Sequence, residues 1–234
     1  TAGCPPERAE LAIDAFATLH ARFWGATDPR ADFLTLVPDP FIDYLAGQFP
    51  GAEGALLGEL TRRVWRHDSL PPTTVLHGDA RVGNMLFPAD ADGQFVFIDW
   101  QAARLGKGAF DVAYFLTLSM TPEHRRSHGD ALLARYHGGL VSGGVTDYGL
   151  AELQRDYQLA AALVLAFVSL PMMSAESSAT GANAADLRVL AEVWTRRMVA
   201  LAEDLDVASI AAEVGMEPDA LRAALGQKQK VPGP

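Results

Sequence analysis

Two short apolar runs, Met85-Leu86-Phe87 and Phe95-Val96-Phe97-Ile98, stand on either side of the turn-rich string "PADADG", and from residue 109 onward the chain carries helical spacing almost without interruption. Strand material this scarce, in pieces this short and split by turn chemistry, reads as a β-hairpin set into an otherwise helical chain. Neither arm alternates apolar with polar residues, so the pattern predicts protein cover on both faces. A further short strand is expected at Thr73 to Leu76, just after Pro71-Pro72. Upstream, Pro5-Pro6-Glu7 opens a helix whose Leu11, Phe16, Leu19 and Phe23 recur near helical spacing until Gly25 stops it. Asp28-Pro29 and Val37-Pro38 mark loop. Helices are expected at 39–48, 51–66, 110–120, 123–138, 147–172 and 184–204, with "SAESSATGAN" as a loop before the last of these. The expected fold class is α+β, mainly helical, with a small β-hairpin inserted early.

Composition narrows the function. Apolar residues make up 49% and charged residues 21% of the chain, which suits a packed core and excludes a disordered one. The net charge of −10 argues against nucleic acid as a partner, because counterion release needs a clustered basic surface. Cys4 is the only cysteine, so an internal disulfide and a thiolate zinc site are both excluded, and a reducing cytoplasm is the expected compartment. The most apolar run, Leu159 to Met173, is fifteen residues long and contains Ser169 and Pro171. That is short for a membrane span and reads as a buried helix, kinked or ended at Pro171. No membrane is expected as a partner, and no signal-peptide pattern is seen.

The polar residues gather around the hairpin. If its turn centres between Ala91 and Asp92, Asn84 falls opposite Asp99, on strands about 4.8 Å apart. An amide oxygen and a carboxylate side by side suit a hard divalent cation, above all Mg²⁺, which takes a few protein oxygens and fills its shell with phosphate and water. Asp79, five residues before Asn84, reaches the same space from a short loop. A carboxylate beside a metal–phosphate site is placed to accept a proton from an attacking hydroxyl.

His77-Gly78-Asp79 with Asn84 five residues after the aspartate, followed beyond a hairpin by Ile98-Asp99-Trp100, resembles the catalytic half of the aminoglycoside phosphotransferase and choline kinase group. Protein kinases carry H-R-D-x-x-x-x-N and D-F-G at the matching places. The strings "HGDARVGNMLF", "FIDWQAARLGKGAFDVAYFL" and "LHARFWG" are most similar to the branch that includes the ecdysteroid-kinase-like proteins. An H-G-D-x4-N string arises by chance in roughly one chain per thousand of this length, and the apolar-Asp-Trp at hairpin distance makes coincidence rarer still.

The resemblance implies the C-terminal lobe of a protein-kinase-like phosphotransferase. It would use ATP and Mg²⁺ and act on a small-molecule hydroxyl acceptor. It implies Asp79 as catalytic base, and Asn84 and Asp99 as holders of magnesium and, through it, the nucleotide. His77 and Asp111 would brace the loop, the latter through backbone N–H groups, while Gly83 would allow close backbone approach. Arg81, inside the same loop, would touch phosphate or substrate, or else be a surface arginine.

The implied organisation is a lobe over residues 1–204, with its catalytic loop at 77–84, metal-binding hairpin at 84–99 and helical substrate region at 109–204. A helical pair at 205–226 and a flexible tail at 227–234 follow. Nothing before His77 resembles a glycine-rich loop or a phosphate-gripping lysine, so the expectation is a C-lobe without its N-lobe.

Gly78 stands where protein kinases have arginine, Asp99-Trp100-Gln101 replaces D-F-G, and there is no A-P-E; these favour a small-molecule kinase. The runner-up is a catalytically inactive, truncated kinase-like binding module. His20 and Trp24, one helical turn apart, read as packing, and Asp147, Glu152 and Asp156 as a solvated face rather than a pocket for a cationic acceptor. Residues 207–225 have the outline of a helix-turn-helix with Gly215 at its corner, built from helices at 207–214 and 217–226. Glu217, Asp219 and Arg222 give it no positive excess, and Lys228 and Lys230 come too late to help, so it reads as a packing appendage.

Overall fold

Helix α1, Pro6–Arg22, starts where Pro5 holds the chain extended and Pro6 supplies a helical φ at no cost in lost N–H bonds. The computed structural model to which it belongs describes residues 3–27, 52–68, 72–88, 93–178, 184–217 and 219. The buried stripe of α1, Ala9, Ala12, Ile13, Phe16, Ala17 and His20, lies along helix α4, Pro122–Ser142. The two axes come close because their contact seam is made of small residues. A side chain at Gly139 would meet the Ala17 methyl at 2.6 Å, and one at Gly143 would run into that of Ala21.

Helix α3, Ala109–Ser119, is apolar on nearly every side, and all of its residues except Tyr114 are buried. A helix of that composition belongs in the middle. It packs chiefly on α5, Leu150–Ser178, and also meets α1, α4 and α6, Ala184–Asp204. Helix α2, Ala52–Asp68, and the short α7, Val207–Glu213, close the outside of α5. The chain is thus α+β and mainly helical, with α3 as its axis.

The strands are few and nested. Strand β1, Thr74–Leu76, pairs antiparallel with β4, Arg104–Gly106; between them in sequence, β2, Met85–Leu86, pairs antiparallel with β3, Val96–Phe97. The outer pair therefore brackets both the loop at 77–84 and the hairpin. Strand β4 was not expected: an arginine, a leucine and a glycine carry no strand signature, and it forms because β1 offers an unpaired edge.

Three expectations are corrected. The hairpin register is shifted by one, with Met85 opposite Phe97 and Leu86 opposite Val96, so Asn84 faces Ile98 rather than Asp99. The hairpin is also covered on one face only: Met85 and Phe97 turn inward, while Leu86, Val96 and Ile98 are exposed, as is Trp100 beyond them. Finally, α5 runs through Pro171 to Ser178 and takes in the first part of the expected loop. The helix expected at 39–48, the one expected at 217–226 apart from Glu217 and Asp219, the hairpin turn at 89–92 and the tail at 227–234 lie outside the described residues. Gly215 does turn the chain, at φ +66°, and Arg63 of α2 donates hydrogen bonds to the carbonyls of Val214 and Gly215 there. Among the described residues no helix is long and apolar enough to cross a membrane.

The hairpin is anchored through one ring. Phe16 of α1 is fully buried and lies 5.0 Å from Phe97 of β3 and 5.9 Å from Phe115 of α3, measured between ring centres. Phe16→Ala should cost about 3–5 kcal/mol, read as a lowered urea midpoint with an unchanged slope.

Candidate functional site

The site is built from Asp111 upward. Asp111 is the third residue of α3, fully buried, and its carboxylate reaches back across the core to the loop after β1. One oxygen accepts from the backbone N–H of His77 at 2.6 Å and the other from that of Gly78 at 3.0 Å. His20 Nε2 faces the same carboxylate at 3.4 Å, while its Nδ1 is 2.7 Å from the Tyr136 hydroxyl. Burial by itself would push the Asp111 carboxyl up. The bonds and charge from His20, with the two backbone N–H groups, outweigh it and hold the carboxyl below its usual range.

That clamp sets the shape of the loop. Gly78 stands at φ +83°, and any Cβ there would collide with the Ala102 carbonyl, so glycine is required by the backbone itself. Gly83 is different: a Cβ there would meet only the tip of the flexible Arg81 side chain. His77, also fully buried, accepts from the Asp79 N–H on Nδ1 at 3.3 Å and donates from Nε2 to the Ile98 carbonyl at 2.8 Å. Its ring packs on Trp100 and Phe97 at 4.9 and 5.6 Å. One imidazole thus ties the loop to the exit of β3.

At the bend sits Asp79, 22% exposed. Its Oδ1 accepts from the Tyr114 hydroxyl at 2.9 Å and its Oδ2 from Asn84 Nδ2 at 2.8 Å. The same Asn84 nitrogen donates to the Asp79 carbonyl at 2.9 Å, which leaves the amide oxygen of this buried side chain as its remaining polar end. Arg81 Nε lies 3.5 Å from Asp79 Oδ2. Burial, reinforced by the neighbouring Asp79 charge, pushes the Tyr114 hydroxyl far up, so it stays a donor.

Asp99 occupies the residue after Ile98, whose N–H bonds the Asn84 carbonyl at 3.0 Å. It is exposed, and at φ +66° it is the one non-glycine residue with left-handed backbone among the described residues. Aspartate tolerates that region better than most side chains, but it remains a strained choice. The structure therefore joins Asp79 and Asn84 directly and puts Asp99 one step beyond the paired residues, next to them in chain rather than across from them. Among the described residues no three or more His, Cys, Asp or Glu side chains come together in a way that could hold a metal ion by themselves. Asn84 offers an amide oxygen, and Asp99, beyond the paired residues, an exposed carboxylate. Each is a hard oxygen of the kind that an ion such as Mg²⁺ takes while keeping most of its shell for water and phosphate.

Three supporting residues escaped the sequence reading. Tyr114 lies three residues after Asp111 on one face of α3, a spacing that could have found it. Ser119 of the same helix accepts from the Val82 N–H at 2.9 Å, tying down the loop's far side. His20 does more than pack, as shown above, whereas Trp24 does pack, against Tyr148 at 5.0 Å.

A last correction concerns Asp156. It is buried and meets His67 Nε2, the Tyr148 hydroxyl and Lys107 Nζ at 2.9, 2.8 and 3.1 Å. Asp147 by contrast is exposed. Arg104 beside this cluster bonds Asp68 at 2.7 Å between the rings of Trp65 and Phe110. The Lys107 N–H reaches the Asp68 carbonyl at 3.2 Å, and this joint fixes where α3, and with it Asp111, begins.

Residues 72–209, more than half of the chain, match the family described as "Uncharacterized oxidoreductase dhs-27" (DUF1679), and the chain belongs to that family. The family is related to the ecdysteroid-kinase-like and phosphotransferase-like kinases. No curated protein matches the chain.

Removing the clamp tests the construction of the site. Asp111→Ala strands two buried N–H groups and an imidazole and should cost about 3–5 kcal/mol near neutral pH. A carboxyl lowered by folding adds stability above its unfolded pKa and loses it as pH falls through the folded one. The gap between wild type and variant, followed by urea unfolding, should therefore narrow below about pH 4.

Proposed function

We propose that this member of the family is the C-terminal lobe of a kinase that moves the γ-phosphoryl group of ATP to a hydroxyl of a small molecule. The observation that carries the reading is the Asp79 carboxylate, gripped on both oxygens by Tyr114 and Asn84 yet still reached by solvent. Such a group can receive a hydroxyl without swinging away from it. Positioning of this kind, with charge stabilisation, is most of what phosphoryl transfer asks of a protein.

In the proposed step the acceptor oxygen bonds the γ-phosphorus while the bond from that phosphorus to the β–γ bridging oxygen breaks. The hydroxyl proton passes to Asp79, and ADP leaves with the electron pair. Asn84 and Asp99 would hold the magnesium, which neutralises phosphate charge when bound. Arg81, close to Asp79, is the side chain positioned to meet an anionic oxygen. The exposed row of Leu86, Val96, Ile98 and Trp100 suits the cover of a nucleotide-gripping lobe. The reducing cytoplasm is the proposed compartment.

The description of the family contains the word oxidoreductase. Dinucleotide enzymes of the doubly wound kind bind at the strand ends of a parallel sheet; the described residues form two antiparallel pairs and an acid–amide loop. Those features support phosphotransfer better than hydride transfer. If the chain is instead a binding module only, ATP with Mg²⁺ should leave turnover absent in every context.

Asp79→Ala should lower ATP-dependent phosphorylation by about 10²–10⁴-fold, followed by ADP release against a panel of small alcohols, and should also lower the melting temperature by about a few degrees, because the Tyr114 hydroxyl and the Asn84 amide lose their shared acceptor. Undiminished turnover in that variant would remove Asp79 as the base.

A further inference from the structure

A cavity of about 370 Å³ opens beside the catalytic loop, between the N-terminal segment before α1, the end of α3 and one side of α6. Its wall carries three arginines, Arg8, Arg81 and Arg197, together with the apolar Leu118, Leu190 and Trp194; no described lining residue is acidic. In a chain of net charge −10 this is an inverted patch.

Arg197 sharpens the point. It is 5% exposed, one of its NH groups donates to the Leu118 carbonyl, and its Nε has no hydrogen-bond partner. Arg104 and Arg125 also leave a buried guanidinium nitrogen unbonded, but each pairs with an aspartate, whereas Arg197 has no acidic partner among the described residues, and an uncompensated buried charge is costly. Every other feature of the wall is settled. Cys4 is buried, with its thiol pushed up to about 11 by that burial, so it is no nucleophile. Ser119 is engaged with the Val82 N–H, and Arg8 lies over the Phe87 ring at 5.4 Å. Burial, with Arg196 nearby, weakens Arg197's hold on its proton, a burden that an incoming anion would relieve.

We infer that this cavity takes the acceptor and selects an anionic one: a small hydroxylated carboxylic acid with a short apolar or aromatic body, its carboxylate at Arg197 and its hydroxyl toward Asp79. The inference rests on the kinase reading for the direction of the hydroxyl, because Arg81 belongs both to this wall and to the surroundings of Asp79. A guanidinium is a planar cation that suits a carboxylate, and Arg197 with Arg8 and Arg81 gives the wall its positive charge. Trp194 and Leu190 supply the apolar contact that a free inorganic anion would not use. A cationic amino sugar or a quaternary ammonium alcohol would meet like charge.

Calorimetric titration of the 234-residue chain without nucleotide tests this with three matched alcohols: para-(hydroxymethyl)benzoate, its methyl ester, and para-(hydroxymethyl)benzylamine. The acid should bind about tenfold or more tighter than the ester, with the amine weakest. Arg197→Met should abolish the preference and Arg197→Lys keep part of it. Arg8→Gln, at an exposed position where folding is not at stake, should reduce it several-fold. Equal affinities, a preference for the amine, or an acid preference untouched by Arg197→Met and Arg8→Gln would overturn the proposal.

The two readings fail separately. Acid preference with no phosphorylation of any of the three, in the chain joined to a nucleotide-gripping lobe as well as alone and in any nucleotide and metal condition, would retire the kinase and leave the pocket. Phosphorylation of ester and amine as readily as acid would retire the pocket and leave the kinase.

Discussion

The buried carboxylate of Asp111 is the constraint from which the rest of this structure follows. A fully buried acid must find donors, and here it draws two of them from the backbone of the loop after β1 and a third from an imidazole on α1. Three segments far apart in sequence are thereby held at one point inside the core. The loop cannot relax without stranding its own N–H groups, which is why Gly78 is kept in a left-handed conformation and why the next residue, Asp79, projects from a fixed bend. The polar chemistry at the surface is positioned by a polar contact that never touches solvent.

The clamp in turn depends on where α3 begins. Arg104, Asp68, Lys107 and Asp156 form a second set of buried charges just ahead of that helix, each with a named opposite partner. Such pairs add little net stability compared with apolar packing, but breaking one is costly, so they specify position more than they stabilise. The layout is one of successive locks: charge pairs set the start of α3, α3 sets Asp111, Asp111 sets the loop, and the loop with His77 sets the exit of the hairpin.

What the sequence disclosed, and what it hid, divides along the same line. Helix positions were legible because apolar spacing records which face is buried, and the helix and strand edges agreed within a few residues outside α5. The loop motif was legible because histidine, glycine, aspartate and asparagine at that spacing have few other uses. The register of the hairpin was not, since a one-residue shift leaves the same apolar letters in the same runs and only the pairing reveals it. Its open face was hidden for a related reason: Leu86, Val96 and Ile98 look like core whether they are covered by this chain or not. Asp156 was misread because a carboxylate on a helix looks solvated until Lys107 and His67, from distant segments, arrive beside it.

Set against that background, Arg197 is the odd member. The buried aspartates of this molecule have matched cations or donors, while Arg197 has one carbonyl and an idle Nε. Arg104 and Arg125 also leave one buried guanidinium nitrogen unbonded, but each of them faces an aspartate, and among the described residues Arg197 faces none. On the proposal above, the counter-charge of Arg197 is supplied by a ligand in the adjoining cavity. An acid that enters would complete the set from outside, and it would do so within the same wall that carries Arg81 beside Asp79, so that recognition of the charge and presentation of the hydroxyl become one act of binding.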